Sequence, residues 1–396
     1  MLPIKTIIHA VADYFRQTDK TFWLLTIIAT FYGCCLIASQ QRDGDVNFLK
    51  TQIIAVILGY TAAVVISLID YNFIAKLSWY IGGFALLLTF AVFFIGIQVA
   101  GTDDVGWIRL PGGITFQPSE LTKICFIVTF SKHLAVLIEK NRLKTFLGVL
   151  TLILHAVIPI GLIHLQGDDG AALVFAFMFL VMSFAAGVQM RYFIVLFVAI
   201  LCAVPLLWTK IINDDQRNRL MVLFGADDAT MQTYGWQQYQ GKVSIASGGI
   251  TGKGLFNGPR VANDVVPYQE NDFIFTVAGE ELGFIGCAAL LLLFVLLLLK
   301  VLKISSQASN PLGKSICIGF FTLIGIQVLI NIGMVLGILP VVGITIPFFS
   351  SGGSSVACLY LGVGLVQSVY MHPTDPEDKP VKVEISKTIR GSIFAP

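Results

Sequence analysis

Apolar stretches of bilayer length, separated by short polar breaks, dominate this chain. The first covers about residues 22–39, between Lys20 and Arg42, and the next two cover 51–69 and 77–100. A polar, turn-rich segment follows at 101–124, reading GTDDVGWIRLPGGITFQPSELTKI. The fourth stretch, 121–138, is interrupted by Lys132 and His133. The fifth to seventh cover 145–165, 171–188 and 192–208, with the short loop QGDDG after the fifth. A long polar loop at 210–271 precedes the eighth, 273–299. From Ser315 to Met371 no Asp, Glu, Lys or Arg occurs, and GILPVVGITIPFFSSGGSS divides that run into two spans. A membrane-crossing helix needs about 20 apolar residues. The pattern therefore predicts an all-α polytopic membrane protein of about ten transmembrane helices over residues 21–372. A segment 1–20 precedes them and a polar tail, 373–396, follows.

The basic residues fix an orientation. With ten spans and a cytoplasmic N-terminus, Lys76, the Lys140/Arg142/Lys144 cluster, Arg191, Lys300, Lys303, Lys314 and the tail lysines share one side. The short loops opposite carry only Arg42, Lys50, Arg109 and Lys123. This matches the excess of Lys and Arg that cytoplasmic loops carry, and it supports the fourth span, without which every later loop changes sides. Both termini are then expected in the cytoplasm. Arg109, Asp168, Arg219 and Asp272 all face outward, the last two on or beside the large extracytoplasmic loop between the seventh and eighth helices.

Composition agrees: 56% of the 396 residues are apolar, 13% are charged, and mean hydropathy is +0.81. A net charge of +2 with no basic run argues against a nucleic-acid partner. The seven cysteines lie within apolar segments and imply no disulfide framework. Residues 1–20 lack the short apolar core and small-residue cleavage site of a removable signal peptide.

The outward loops hold the candidate chemistry. In PYQENDFIFTVAGEELGFIG, residues 267–286, Asp272 stands where the long loop meets an apolar helix, and Glu280 and Glu281 follow two turns on. Asp272 either caps that helix or serves as a general base in a water-filled cleft. The two glutamates face either a polar interior or the same cleft. Lys123 either snorkels from a helix end or meets a phosphate, and Trp107 and Arg109 sit at the interface. The run QQYQGKVSIASGGITGKGLFNG, 237–258, has the glycines that let backbone N–H groups approach an anion. It lacks the P-loop pattern, and packing of a re-entrant or interfacial helix is the more economical account. FFSSGGSS, 348–355, suits close helix packing or ligand contact equally. Asp169 reads as a solvated loop acid.

The stretches GWIRLPGGITFQPSELTKI, QGDDGAA, QRNRL, QGKVSIASGGITGKGLFNG, PYQENDFIFTVAGEELGFIG and NIGMVLGILPVVGITIPFFSSGGSS, in this order over residues 18–372, resemble the SEDS family (shape, elongation, division and sporulation). The short N-terminus and PYQENDFIF lean to its elongation branch. The second stretch departs from the family's Q-P-D-L-G-T-A at Gly167, Asp169 and Ala171, while Asp168 and Gly170 remain. The resemblance implies a peptidoglycan glycosyltransferase in the bacterial cytoplasmic membrane, polymerising lipid II on its outer face. Lipid II is an undecaprenyl-diphosphate-linked disaccharide-pentapeptide. The implied partners are a class B penicillin-binding protein, the elongation machinery and membrane lipid. Asp272 is the implied general base, taking the proton of the attacking GlcNAc 4-hydroxyl. The expected substrate-binding set is Trp107, Arg109, Glu120, Lys123, Asp168, Arg219, Gln240, Ser244, Ser247, Lys253, Glu280, Glu281 and Ser351. Arg109, Lys123, Arg219 and Lys253 are the candidates for the diphosphate. No cofactor is certain. A divalent cation, Mg²⁺ or Mn²⁺, on Asp168 or Asp272 is the alternative way to neutralise it. The rival readings are a lipid II flippase, a scaffold for the cross-linking enzyme, and a division or sporulation paralogue.

Overall fold

The computed structural model describes residues 12–41, 48–98, 105–109, 115–206, 208–209 and 212–373. In chain order the helices are α1 Lys20–Gln40, α2 Phe48–Leu68, the short α3 Tyr71–Lys76, α4 Ser78–Ile95, α5 Pro118–Glu139, α6 Phe146–His164, α7 Asp169–Ala186 and α8 Met190–Leu206. Four short helices follow in the long loop: α9 Asp214–Met221, α10 Asp228–Thr233, α11 Trp236–Gly248 and α12 Pro259–Ala262. The last three are α13 Ile274–Gln307, α14 Pro311–Val335 and α15 Gly353–Met371. Among the described residues nine helices are long and apolar enough to cross a membrane, and α8 is apolar but shorter, at 17 residues. At 1.5 Å per residue α8 is about 26 Å long, close to the hydrocarbon thickness.

The ten apolar helices run alternately up and down. At one end α1 begins where α15 finishes. There Asp19 N donates to Gln367 Oε1 at 3.0 Å, and Gln367 Nε2 returns a bond to Asp19 O at 3.0 Å. Lys300, near the end of α13, meets Asp19 Oδ2 at 2.6 Å, while Asp19 Oδ1 caps α1 through Phe22 N. The alternation gathers Lys76, Lys140, Arg142, Lys144, Arg191, Lys303 and Lys314 at this basic end. The opposite end collects all the longer connections. One of them holds a small antiparallel sheet that the sequence reading missed: β1 Gly96–Ile97, β2 Trp107–Arg109 and β3 Thr115–Phe116. Ile97 pairs with Trp107, and Ile108 with Phe116. The third span accordingly stops at Ile95, where Gly96 turns extended.

Two helical runs are broken, and each break is closed by the rest of the chain. Within α13, Gly283 sits at φ 65°, ψ −160°, so the helix is two pieces. The groups freed there bond to residues 249–254. Phe284 N donates to Gly249 O (2.9 Å) and Ile285 N to Ile250 O (3.1 Å), while Lys253 N donates to Glu280 O (3.1 Å) and Gly254 N to Glu281 O (2.9 Å). The glycines of GGITGKG are thus spent on a clasp. Gly252 lies at φ +75°, and a Cβ there would stand 2.2 Å from Glu281 O. The second break is residues 336–352, irregular backbone between α14 and α15.

Gly252→Ala must strain its backbone and push the clasp off α13. It is expected to cost about 2–3 kcal/mol, read as a lowered melting temperature in detergent. Gly83→Ala, where no atom outside its own helix lies within 4 Å, is the control and leaves stability unchanged or slightly raised.

Candidate active site

The irregular segment 336–352 is the surface against which Asp272 is set. Asn331, fully buried near the end of α14, donates through Nδ2 to Asp272 O (2.7 Å) and to Ile344 O (2.5 Å). Ser350 Oγ donates to Asn271 O (2.6 Å) and accepts from Ile346 N (2.8 Å), and Ser351 N donates to Glu270 O (2.8 Å). From α2, Gln52 bonds both Ser350 O and Gly352 N at 3.3 Å. Helices α1 and α7 press on the same strip. A Cβ on Gly33 would fall 2.4 Å from Phe348 O, and one on Gly170 would fall 2.3 Å from Val342 O. The backbone of 270–272 is therefore fixed from several sides.

Asp272 itself is half-buried. The N-cap of α13 is Phe273, with no side-chain cap bond of its own. Its Oδ2 borders Gly343, where a Cβ would stand at 3.5 Å. Two residues away, Val341 O accepts from Arg219 Nη1 at 3.2 Å. Arg219 lies in the last turn of α9. The strip 341–343 thus brings an acid and a guanidinium from opposite ends of the long loop to one place. Glu270, two residues before Asp272, was not singled out by the sequence reading. Burial pushes its carboxyl above the usual carboxylate range, and the charge of Asp264 adds to the effect.

The other expected residues divide into groups. Lys123 and Glu120 form an ion pair on the first turns of α5, Nζ to Oε1 2.7 Å, with side chains only 3% and 14% exposed. A cavity of about 20 Å³ lies between Glu120, Gln327, Thr345, Ser350 and Ser355, room for about one water. Asp168 is the N-cap of α7. Its Oδ1 accepts from Ala171 N (2.8 Å) and its Oδ2 from Gln117 Nε2 (3.0 Å) and Ser119 Oγ (3.3 Å), which ties α5 to α7. The neighbouring Gly167 lies at φ 89°, a conformation closed to proline, so the loop takes a shape the family's Q-P-D pattern does not allow. Asp169 is not a merely solvated acid. It accepts from Gln216 Nε2 and pairs with His164 Nδ1, joining α9 to the α6–α7 turn. Arg109 is exposed at the end of β2. Trp107 is half-buried there, its indole Nε1 buried without a partner.

Gln240, Ser244, Ser247 and Lys253 gather around Arg260, which the sequence reading also passed over. Arg260 Nη2 donates to Gln240 Oε1 (2.5 Å) and Nε to Ser244 Oγ (2.8 Å). Lys253 Nζ bonds Ser247 Oγ and Glu280 Oε1, both at 2.9 Å. Of the two readings of Glu280 and Glu281, a polar interior or a wet cleft, their burial fits the polar interior. Both are 0% exposed. Glu280 accepts from Arg260 N (3.0 Å) and Val261 N (3.1 Å), and Glu281 from Gly258 N (3.1 Å), Phe256 N (3.2 Å) and Ser39 Oγ. Carboxylates saturated by backbone N–H groups are compensated where they lie. These two hold the long loop onto α13. Ser351 contributes its backbone N–H to the strip.

Comparisons with known proteins match this architecture. A family model covering the FtsW, RodA and SpoVE proteins, described as cell cycle protein, matches residues 17–375. The probable peptidoglycan glycosyltransferase FtsW of Geobacter sulfurreducens is 32% identical over 362 residues, covering 89% of this chain and 95% of that protein. The peptidoglycan glycosyltransferase MrdB of Escherichia coli is 31% identical over 366 residues, covering 90% and 97%. A chain from a peptidoglycan synthase complex, solved for its coordination of polymerization and crosslinking, superposes with a TM-score of 0.76 at 27% identity, covering 89% and 97%. Ten alternating helices, a long loop clasped to a broken helix and a match over nearly the whole membrane region agree: the chain belongs to the FtsW/RodA/SpoVE family, the SEDS proteins that its motifs resemble.

Proposed function

We propose that this chain is a peptidoglycan glycosyltransferase that polymerises lipid II, with Asp272 as the general base. The observation that carries this is the placement of Asp272. Its backbone is tied down by Asn331 and by the neighbours of Ser350, and its carboxylate borders the strip that anchors Arg219. In the proposed reaction the acceptor sugar's 4-hydroxyl gives its proton to Asp272 as its oxygen bonds the donor's anomeric carbon. The bond from that carbon to the diphosphate oxygen breaks, and undecaprenyl diphosphate leaves with the electron pair. A diphosphate leaves without protonation, so it needs nearby positive charge rather than a second acid. Arg219 is the foremost candidate and exposed Arg109 the second. Lys123 and Lys253 are already engaged by Glu120 and Glu280, and we assign them to support of the site.

The donor set fits a Mg²⁺ or Mn²⁺ ion poorly. Among the described residues no three His, Cys, Asp or Glu side chains gather as a metal site, and the oxygens of Asp168 are taken by its cap and by α5. The positive-inside rule puts the basic end in the cytoplasm and the Asp272 end outside the cytoplasmic membrane. There a class B penicillin-binding protein would receive the strands. Use in elongation rests on the PYQENDFIF stretch.

The test is polymer formation by the purified chain with its cognate partner, lipid II, and a β-lactam to block cross-linking. Wild type is expected to give glycan ladders. Asp272→Asn should lose about 10²–10⁴-fold in rate without a change in melting temperature. Ladders from Asp272→Asn at wild-type rate would remove Asp272 from the chemistry. Arg219→Ala should lose about 10²-fold in turnover. Lys253→Ala should instead lower the melting temperature and leave turnover per folded molecule nearly intact, and the reverse outcome would exchange their roles.

A further inference from the structure

Helix α8 stands apart from the bundle. None of its residues is buried. Where its first turns approach α6 and α7 the contact is incomplete, leaving a shallow groove, open to the side, with about 20 Å³ of room at its base. Its walls include Leu152 and Ile153 of α6, Phe179 and Ser183 of α7, and Tyr192 and Leu196 of α8. These are apolar with one clear exception. Ser183 is 1% exposed and its Oγ has no hydrogen-bond partner. A helical serine ordinarily bonds a carbonyl of the preceding turn. This one leaves a buried donor in the groove, and such a donor calls for an acceptor.

The groove opens at the basic end. Arg191 is exposed, its guanidinium 4.9 Å over the Tyr192 ring, and its Nη2 donates to Tyr192 Oη at 3.2 Å. Tyr192 Oη in turn donates to Lys144 O at 3.3 Å. Lys140, Arg142 and Lys144 are exposed on the adjoining α5–α6 turn, where Glu139 is the one acid. Phe146 and Leu147, at the start of α6, are exposed to the surroundings. Ser183 lies three residues before the end of α7, about 4.5 Å along the axis.

We propose that this groove binds an anionic phospholipid of the surrounding bilayer. One acyl chain lies along the open side of the groove, against α6, α7 and α8. A glycerol ester carbonyl accepts from Ser183 Oγ, and the phosphate meets Arg191 and Lys144. The spacing suits the molecule, because a phospholipid's ester lies a few ångströms inward of its phosphate. Clustered basic residues at a membrane face favour anionic over zwitterionic headgroups. The site lies at the opposite end of the bundle from Asp272 and does not depend on the glycosyltransferase reading.

The full chain, extracted in mild detergent and offered an equal mixture of phosphatidylglycerol and phosphatidylcholine, tests this by native mass spectrometry. Wild type should retain one phosphatidylglycerol in preference to phosphatidylcholine. Arg191→Ala should lower that retention about fivefold, the factor one basic residue at a membrane surface is worth. Leu196→Trp, filling the groove from the α8 side, should abolish it while the chain still melts cooperatively. Equal retention of the two lipids would overturn the proposal, as a neutral lipid site or a seat for a partner's apolar helix predicts. Retention of phosphatidylglycerol undiminished in both variants would overturn it too.

Discussion

Inside a bilayer, backbone that leaves the helix must find its hydrogen bonds within the protein, because hydrocarbon offers none and each orphaned group costs several kcal/mol. This chain breaks its helices twice, at Gly283 and across 336–352. The partners that close the breaks come from elsewhere in the sequence. The loop 249–254 closes the first break, while Asn331 and Gln52 brace the second, which Ser350 also ties internally and to Asn271 O. Closing both breaks draws the external connections onto one surface, and Asp272 lies where they meet.

The same requirement sorts the polar residues. Glu280 and Glu281 look functional because ionisable groups in a membrane segment are expensive. Their cost is offset by backbone N–H groups from the loop they hold, together with Lys253 and Ser39. Arg260, Gln240 and Ser244 extend that clasp. What remains near the strip 341–343 is a small set in which Asp272 and Arg219 carry the opposite charges that the proposed glycosyl transfer from a diphosphate needs.

The ten helices were legible because bilayer thickness imposes a length and the loops between them carry the charge. Even the doubtful span at Lys132 and His133 was recovered from the side on which Lys140–Lys144 must lie. The three-strand sheet was not, because strands of two or three residues have no periodicity to read. The break at Gly283 was hidden in an unbroken apolar run, and its sign lay in the glycines of GGITGKG some thirty residues earlier, whose partner only the fold supplies. Asp272 could be singled out by its position at a loop–helix junction. Asn331 could not, since one amide in a charge-free helix carries no mark of what it holds. Asp169 was misread because its partner Gln216 lies in another loop. Gly167 departs visibly from the family pattern in the sequence, and its positive φ shows why proline is excluded there.

The central claim is that the broken backbone, held by Asn331, sets Asp272 in place for the reaction. Turnover of lipid II by Asn331→Ala, measured at saturating substrate and normalised to the folded fraction, tests this most directly. Among the described residues the Asn331 amide nitrogen donates to Asp272 O and Ile344 O, so lipid II affinity should persist while turnover falls about 10²-fold, the loss expected for a base displaced by about 1 Å. Turnover per folded molecule equal to wild type would contradict the account.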